Sequence, residues 1–213
     1  VFVSGDVHGC YNTFSQLVKT HWNPENEFLI QVGDLISKGP YSAKCVKYIK
    51  QLQKKYPFQV FVLKGNHEDN YLKYQDKPLK SESVDQAKQD FINAEFNLKK
   101  LTTWLENLPY KWETPYMLIT HAGISKSVKN PYSYSNPRGV VHNRSSLRNM
   151  GKVQIFGHMI QSNGKVVYSE FANAWCIDTG AWLGKNLSAM RFSYEGKILE
   201  TIQIKTLAED LGG

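Results

Sequence analysis

The chain has 213 residues, 41% of them apolar, and a formal net charge of +7. That is enough to bury a sizeable core, and no apolar run approaches the roughly 20 residues a membrane helix needs, so a soluble globular fold is expected. The positive balance favours anionic ligands, while scattered lysines without an aromatic-basic platform argue against nucleic acid.

Cys10, Cys45 and Cys176 are far apart and lack metal-knuckle spacing. They read as buried, reduced thiols of a cytoplasmic protein. Val1 already lies in what reads as a strand, so an upstream segment is left open.

In chain order, Phe2-Val3 reads as a short strand. Residues 11–20 space Phe14, Leu17 and Val18 as one helical face. A strand over 28–32 follows, then a helix over 41–54 with a stripe of Cys45, Val46, Ile49 and Leu52. Residues 58–63 form the next strand. The pattern is β-α-β-α-β, which implies parallel strands with helical crossovers. Residues 70–108 are read as a helical cap, polar at first and helical from Val84. A strand over 116–120, an irregular loop over 129–139, a short helix over 144–149 and a strand over 153–156 come next. The remaining short strands are read as largely antiparallel.

Polar residues sit where the apolar strands stop: Asp6, His8, Asp34, Asn66, His67, His121 and His158. Parallel strands gather their carboxyl ends at one edge, so these side chains should converge. Taken singly, each has a commoner structural reading as a turn residue or core histidine. Taken jointly, four of the six histidines follow apolar strands beside Gly or Asn, while His21 and His142 do not. A mixed N/O set without thiolate suits Mn, Fe or Zn ions. It is too large for one tetrahedral ion, and a two-metal site needs a carboxylate shared between ions roughly 3.5–4 Å apart. Asp34, on the middle strand, is the candidate bridge. Tyr132, Tyr134, Trp175 and Trp182 are assigned to packing.

The boxes Gly5-Asp6-Val7-His8-Gly9, Gly33-Asp34 with Gly39, Gly65-Asn66-His67-Glu68, His121-Ala122-Gly123 and Gly157-His158 resemble those of the phosphoprotein phosphatase superfamily of calcineurin-like metallophosphoesterases. Ile177-Asp178-Thr179-Gly180 is similar to its later Asp-Thr-Gly turn. The resemblance implies an α/β four-layer α-β-β-α sandwich forming one catalytic domain over 1–213. It implies two divalent ions, Mn foremost with Zn, Fe or Mg as alternatives. Asp6, His8 and Asp34 would hold the first; Asp34, Asn66, His121 and His158 the second. His67 would be the general acid at the leaving oxygen, and Arg144 would grip the phosphate with Lys38 and Asn66.

One box departs from the protein-phosphatase form. Ser37 and Lys38 stand where that form has Asp and Arg, and Gly39-Pro40 follows, as in the symmetrical diadenosine tetraphosphatase-like branch. Lys38 keeps the charge and loses the bidentate fork. The short span from His121 to His158 is instead like compact lambda-type phosphatases. The first expectation is therefore hydrolysis of phosphate monoesters, plausibly phosphoprotein Ser/Thr. The alternative is hydrolysis of phosphoanhydrides in dinucleoside polyphosphates or polyphosphate.

Overall fold

The computed structural model describes residues 1–75, 82–132 and 139–211. Pro78, Tyr134 and most of the expected irregular loop lie outside them.

The first half alternates as expected. Strands β1 (Phe2–Ser4), β2 (Leu29–Gln31) and β3 (Val60–Val62) are joined by helices α1 (Tyr11–His21) and α2 (Ser42–Lys55). β1 pairs parallel to β2, and β2 to β3. Three further helices follow: α3 (Asn66–Tyr74), α4 (Glu82–Asn93) and α5 (Leu98–Glu106). Then come β4 (Lys111–Glu113), β5 (Met117–Thr120), β6 (Val153–Phe156), β7 (Val167–Ser169), β8 (Ala174–Cys176), β9 (Asn186–Phe192) and β10 (Ile198–Lys205).

Two five-stranded sheets result, ordered β10-β9-β1-β2-β3 and β4-β5-β6-β8-β7. Strand alternation decides what each face meets. Val3, Ile30, Met190 and Phe192 of the first sheet and Ile119 and Ile155 of the second share the central core, while Phe2, Leu29, Val60 and Val62 face the helices. The helices complete that outer core with Phe14, Leu17, Val46, Ile49, Phe91 and Leu105. Burying such a side chain is worth about 1.5–3 kcal/mol. On its other face the second sheet carries two small clusters, one around Leu118, Ile124, Val140 and Val141 and one around Phe156, Ala172, Ala174 and Cys176.

Four local expectations change. α3 was not anticipated; it begins on Asn66, and Gly65 N–H donates to Glu68 in the manner of a capping box. The single helix expected from Val84 is two, because Glu95 takes a φ of 55° and Asn97 recaps the chain by accepting Lys100 N–H at 3.0 Å. Residues 144–149 form no helix. Asn143 Oδ1 accepts Ser145 N–H and Oγ–H, a local turn that competes with helix, and Leu147 instead bridges to Ser125. Lastly, β8 runs parallel to β6, because β7 turns back antiparallel and takes the sheet edge.

The amino end of α1 has no local side-chain cap. Asp210, from a 3-10 turn at Ala208–Asp210, supplies it. Its carboxylate accepts N–H from Asn12 (3.0 Å) and Thr13 (2.7 Å), and also Asn12 Nδ2 (2.9 Å) and Thr13 Oγ1 (2.6 Å). The three cysteines are buried and free. Among the described residues no helix is long and apolar enough to cross a membrane.

Candidate metal centre

Both sheets deliver polar residues to one edge. Asp6 and His8 follow β1, Asp34 follows β2, and Asn66 and His67 open α3 directly after β3. His121 follows β5, His158 follows β6 and Asp178 follows β8. These loops hold most of the backbone strain. Of the seven non-glycine residues with positive φ among the described residues, five are His8, Asp34, Ser37, Lys38 and His158. Such conformations cost free energy and persist where the surroundings over-determine them. At Gly157 and Gly65 space forbids a side chain. A Cβ on Gly157 would lie 1.8 Å from Asp6 Oδ1, and one on Gly65 would lie 2.2 Å from Asp34 Oδ1.

Asp34 stands at the centre. Oδ2 faces His8 Nε2 at 3.5 Å, and Oδ1 faces His121 Nε2 at 3.4 Å while accepting His67 N–H at 2.8 Å. Two donor groups share it: His8, Asp34 and His67 on one side, Asp34, His121 and His158 on the other, each with donor atoms within 4.8 Å of one another. Asn66 joins the second group, its Oδ1 lying 3.0 Å from His121 Nε2 and 2.7 Å from His158 Nδ1. Asp6 lies beside it, with Oδ2 accepting His158 N–H at 2.9 Å. Sequence-expected residues from both halves of the chain are therefore brought together.

The surroundings fit cations. His8 Nδ1 lies 3.3 Å from the Ile36 carbonyl and His121 Nδ1 lies 3.0 Å from the Val32 carbonyl. A proton at each Nδ1 turns the Nε2 lone pair toward Asp34, the arrangement of a metal-ligating histidine and its outer partner. Asp6 Oδ1 and His158 Nε2 are buried with no hydrogen-bond partner among the described residues. Such atoms are costly in a native interior and call for a ligand. Burial pushes His8 and His158 down to about 3, so both imidazoles are neutral donors.

The carboxylates point the same way. Burial, with Asp178 and Asp34 nearby, raises Asp6 well above the usual carboxylate range. Burial also raises Asp178 to about 6. Asp34 is the exception: burial opposes its charge, but His121, His67 and His8 outweigh this and hold it well below the ordinary value. Crowded carboxylates in a dry site need positive charge between them.

Glu68 is a residue that sequence reasoning quoted without a role. Fully buried, it accepts N–H from Asp34 and Leu35 at 2.8 Å, Gly65 at 2.9 Å and Ile36 at 3.3 Å. It clamps the loop that carries Asp34 to the start of α3. Its position three residues after Gly65 was a usable sign. His142 was set aside in the sequence and is also engaged: its Nε2 meets Asp69 Oδ2 at 2.8 Å, tying the segment before Arg144 to α3. No local pattern pairs residues so far apart in the chain.

The cationic residues stand at the rim. Arg144 is exposed, with Nη1 3.9 Å from Met159 Sδ, and its charge reaches His67 and His158. Lys38 Nζ lies 4.7 Å from the centre of the Trp182 ring, which meets His8 edge-on at 6.3 Å. Trp182 therefore borders the site, whereas Trp175 packs in the central core. Burial lowers His67, and Lys38, His121 and Arg144 add to this against Asp34. Ser37 is fully buried, and its Oγ has no partner among the described residues.

The family model for calcineurin-like phosphoesterases matches residues 1–180. Among curated relatives, the symmetrical bis(5'-nucleosyl)-tetraphosphatase of Buchnera aphidicola subsp. Schizaphis graminum is 31% identical over 128 residues, 59% of this chain and 45% of that one. Its counterpart in Wigglesworthia glossinidia brevipalpis is 34% identical over 126 residues, 58% of this chain and 44% of that one. The chain thus spans less than half the length of the curated relatives it matches. Solved structures agree on the fold. A candidate diadenosine tetraphosphatase superposes with TM-score 0.71 at 20% identity, covering 97% of this chain and 93% of that one. A Ser/Thr protein phosphatase from Saccharomyces cerevisiae gives TM-score 0.64 at 18% identity, covering 94% and 78%.

Proposed function

We propose that this chain, which belongs to the calcineurin-like phosphoesterase family, is a metal-dependent hydrolase whose preferred bond is a phosphoanhydride of the dinucleoside polyphosphate class. In this reading residues 1–213 act as one catalytic unit. Asp6, His8 and Asp34 hold one divalent ion and Asp34, Asn66, His121 and His158 the other, with Asp34 as the bridge. When bound, such ions lower the pKa of water and draw charge from phosphoryl oxygens.

The chain's own residues do the rest. Arg144, at the exposed rim, grips the phosphoryl group through its planar fork, and Lys38 adds charge without that geometry. Asn66 and the strained loops keep the donors fixed before substrate arrives. Water adds to phosphorus, the bridging P–O bond breaks, and the electron pair leaves on oxygen. His67 faces that oxygen and supplies a proton or a hydrogen bond.

The observation that carries the anhydride reading is the buried Ser37 in place of a carboxylate. Among the groups that act most strongly on His67, Asp34 is the one carboxylate and Lys38 and Arg144 are the fixed cations. An alkoxide leaving group needs a fully transferred proton, whereas a phosphate leaves with its charge neutralised. Cations around an imidazole and no second acid suit the second case. The names of the curated relatives support the same choice. The monoester reading, suggested first by the sequence, keeps the support of a Ser/Thr phosphatase fold neighbour.

A paired assay decides. With one metal-loaded preparation, kcat/KM for diadenosine tetraphosphate should exceed that for a phosphoserine peptide by about a hundredfold, a difference in transition-state binding. A faster peptide reaction overturns the reading.

A further inference from the structure

On the outer face of the second sheet lies a cavity of about 410 Å³. Leu147, Phe156, Met159 and Phe171 wall it, Gln161 lends it polar character, and Arg144 stands at its edge. Two of its lining residues, Phe156 and Met159, flank Gly157-His158 in the chain. Its size is that of a small-ligand site, and it combines apolar walls with neutral polar side chains and two cations, Arg144 and Lys126.

The placement of charge selects an occupant. Arg144 is the residue proposed above to hold a phosphoryl group; Lys126 is the other cation of the lining, and the remaining lining residues are apolar or neutral. A ligand that fits both ends has a phosphate joined to a flat, largely apolar body. Phe171 is 90% exposed and has no ring partner among the described residues, a large apolar surface left open to solvent. Met159, also in the lining, has its polarizable sulfur 3.9 Å from Arg144 Nη1. Aromatic faces and thioethers are good surfaces for a base ring. Gln161 commits Nε2 to the Met159 carbonyl at 2.6 Å and to Cys176 Sγ at 3.2 Å, which leaves its Oε1 as an acceptor for a ring amine.

Resting on the anhydride reading, we propose that this cavity seats the base of a nucleoside whose phosphate is held by Arg144. Recognition of one nucleoside here makes the substrate class nucleotide-linked phosphate rather than inorganic polyphosphate. Bound phosphate and base then hold the reacting bond near His158, because Met159 of the cavity follows His158 directly and Arg144 Nη1 lies 3.9 Å from Met159 Sδ.

Calorimetry with two non-hydrolysable probes tests this. Adenosine 5'-(α,β-methylene)diphosphate and methylenediphosphonate carry the same bridged diphosphonate head, and only the first carries a nucleoside. The metal-loaded wild type should bind the nucleotide about tenfold or more tighter, the scale of a seated aromatic ring. Ser169→Phe fills the cavity from β7 and should bring the two affinities together. Phe171→Ala removes an exposed wall, carries little risk to folding, and should narrow the ratio in the same direction. Equal wild-type affinities overturn the proposal. So does a wild-type preference that both variants retain, because the base then lies elsewhere. Turnover of diadenosine tetraphosphate by the same wild-type preparation reads the parent hypothesis separately. No turnover with intact discrimination removes the anhydride reading alone; turnover without discrimination removes the cavity alone.

Discussion

Asp210 and the aspartates at the strand ends are equally inaccessible, at 1% for Asp210 and 2% for both Asp6 and Asp34. Their surroundings are opposite. Asp210 meets four donors from Asn12 and Thr13 and leaves neither oxygen idle. Asp6 has an orphaned Oδ1, and Asp34 is faced by imidazole nitrogens at 3.4 and 3.5 Å. The chain completes the coordination of one carboxylate and withholds it from the others. The difference teaches how a structural acid is told from a functional one. Burial does not distinguish them; the list of partners does. Strain follows the same division, since Asp34 has a φ of 53° whereas no residue of the Asp210 turn is left-handed.

Substitutions on either side should break or sharpen this contrast. The largest effect is expected at Asp34→Asn, which removes the shared charge. Activity should fall by about 10⁴-fold or more, with both ions lost together in elemental analysis. Loss of one ion only would remove the bridge. His67→Asn comes next, with kcat lower by about 10²–10⁴-fold and metal content unchanged. An ion missing from that variant would falsify the acid assignment and count His67 among the ligands, beside His8 and Asp34. Glu68→Gln replaces an oxygen that meets backbone N–H groups with an amide that can only donate. It should cost about 2–4 kcal/mol in urea unfolding and weaken turnover as well, because the Asp34 loop loses its clamp. The smallest effect is at Asp210→Asn. Thermal unfolding should report a loss of about 1–2 kcal/mol, the worth of a helix cap, with kcat/KM unchanged. A collapse of metal content there would erase the distinction between the two classes of acid.

The strand-end residues were legible because strands convert order in sequence into position at an edge. Asp6, His8, Asp34, Asn66, His121 and His158 each follow an apolar run, and parallel pairing brings the run ends together. The helices α1 and α2 were legible from their apolar stripes. What escaped depends on contacts across the chain. The Glu68 clamp joins residues 34 positions apart, and His142 reaches Asp69 across 73. Residues 144–149 look helical in isolation and are drawn instead into a bridge with Ser125. The cavity beside Arg144 is assembled by β6, β7 and β8 with the 144–147 segment, and no single stretch announces it.

The strand order of the first sheet has a consequence for how the chain is made. β1 precedes β9 by about 180 residues, yet it lies between β2 and β9. Gly5 N–H, just before Asp6, donates to Ser188 O at 2.9 Å. Until residues 186–192 are available, β1 is an unpaired edge, exposed to wrong partners. The candidate ligands Asp6 and His8 are therefore translated well before the strand that closes their edge of the sheet, and pairing over so long a span is of the kind that slows folding.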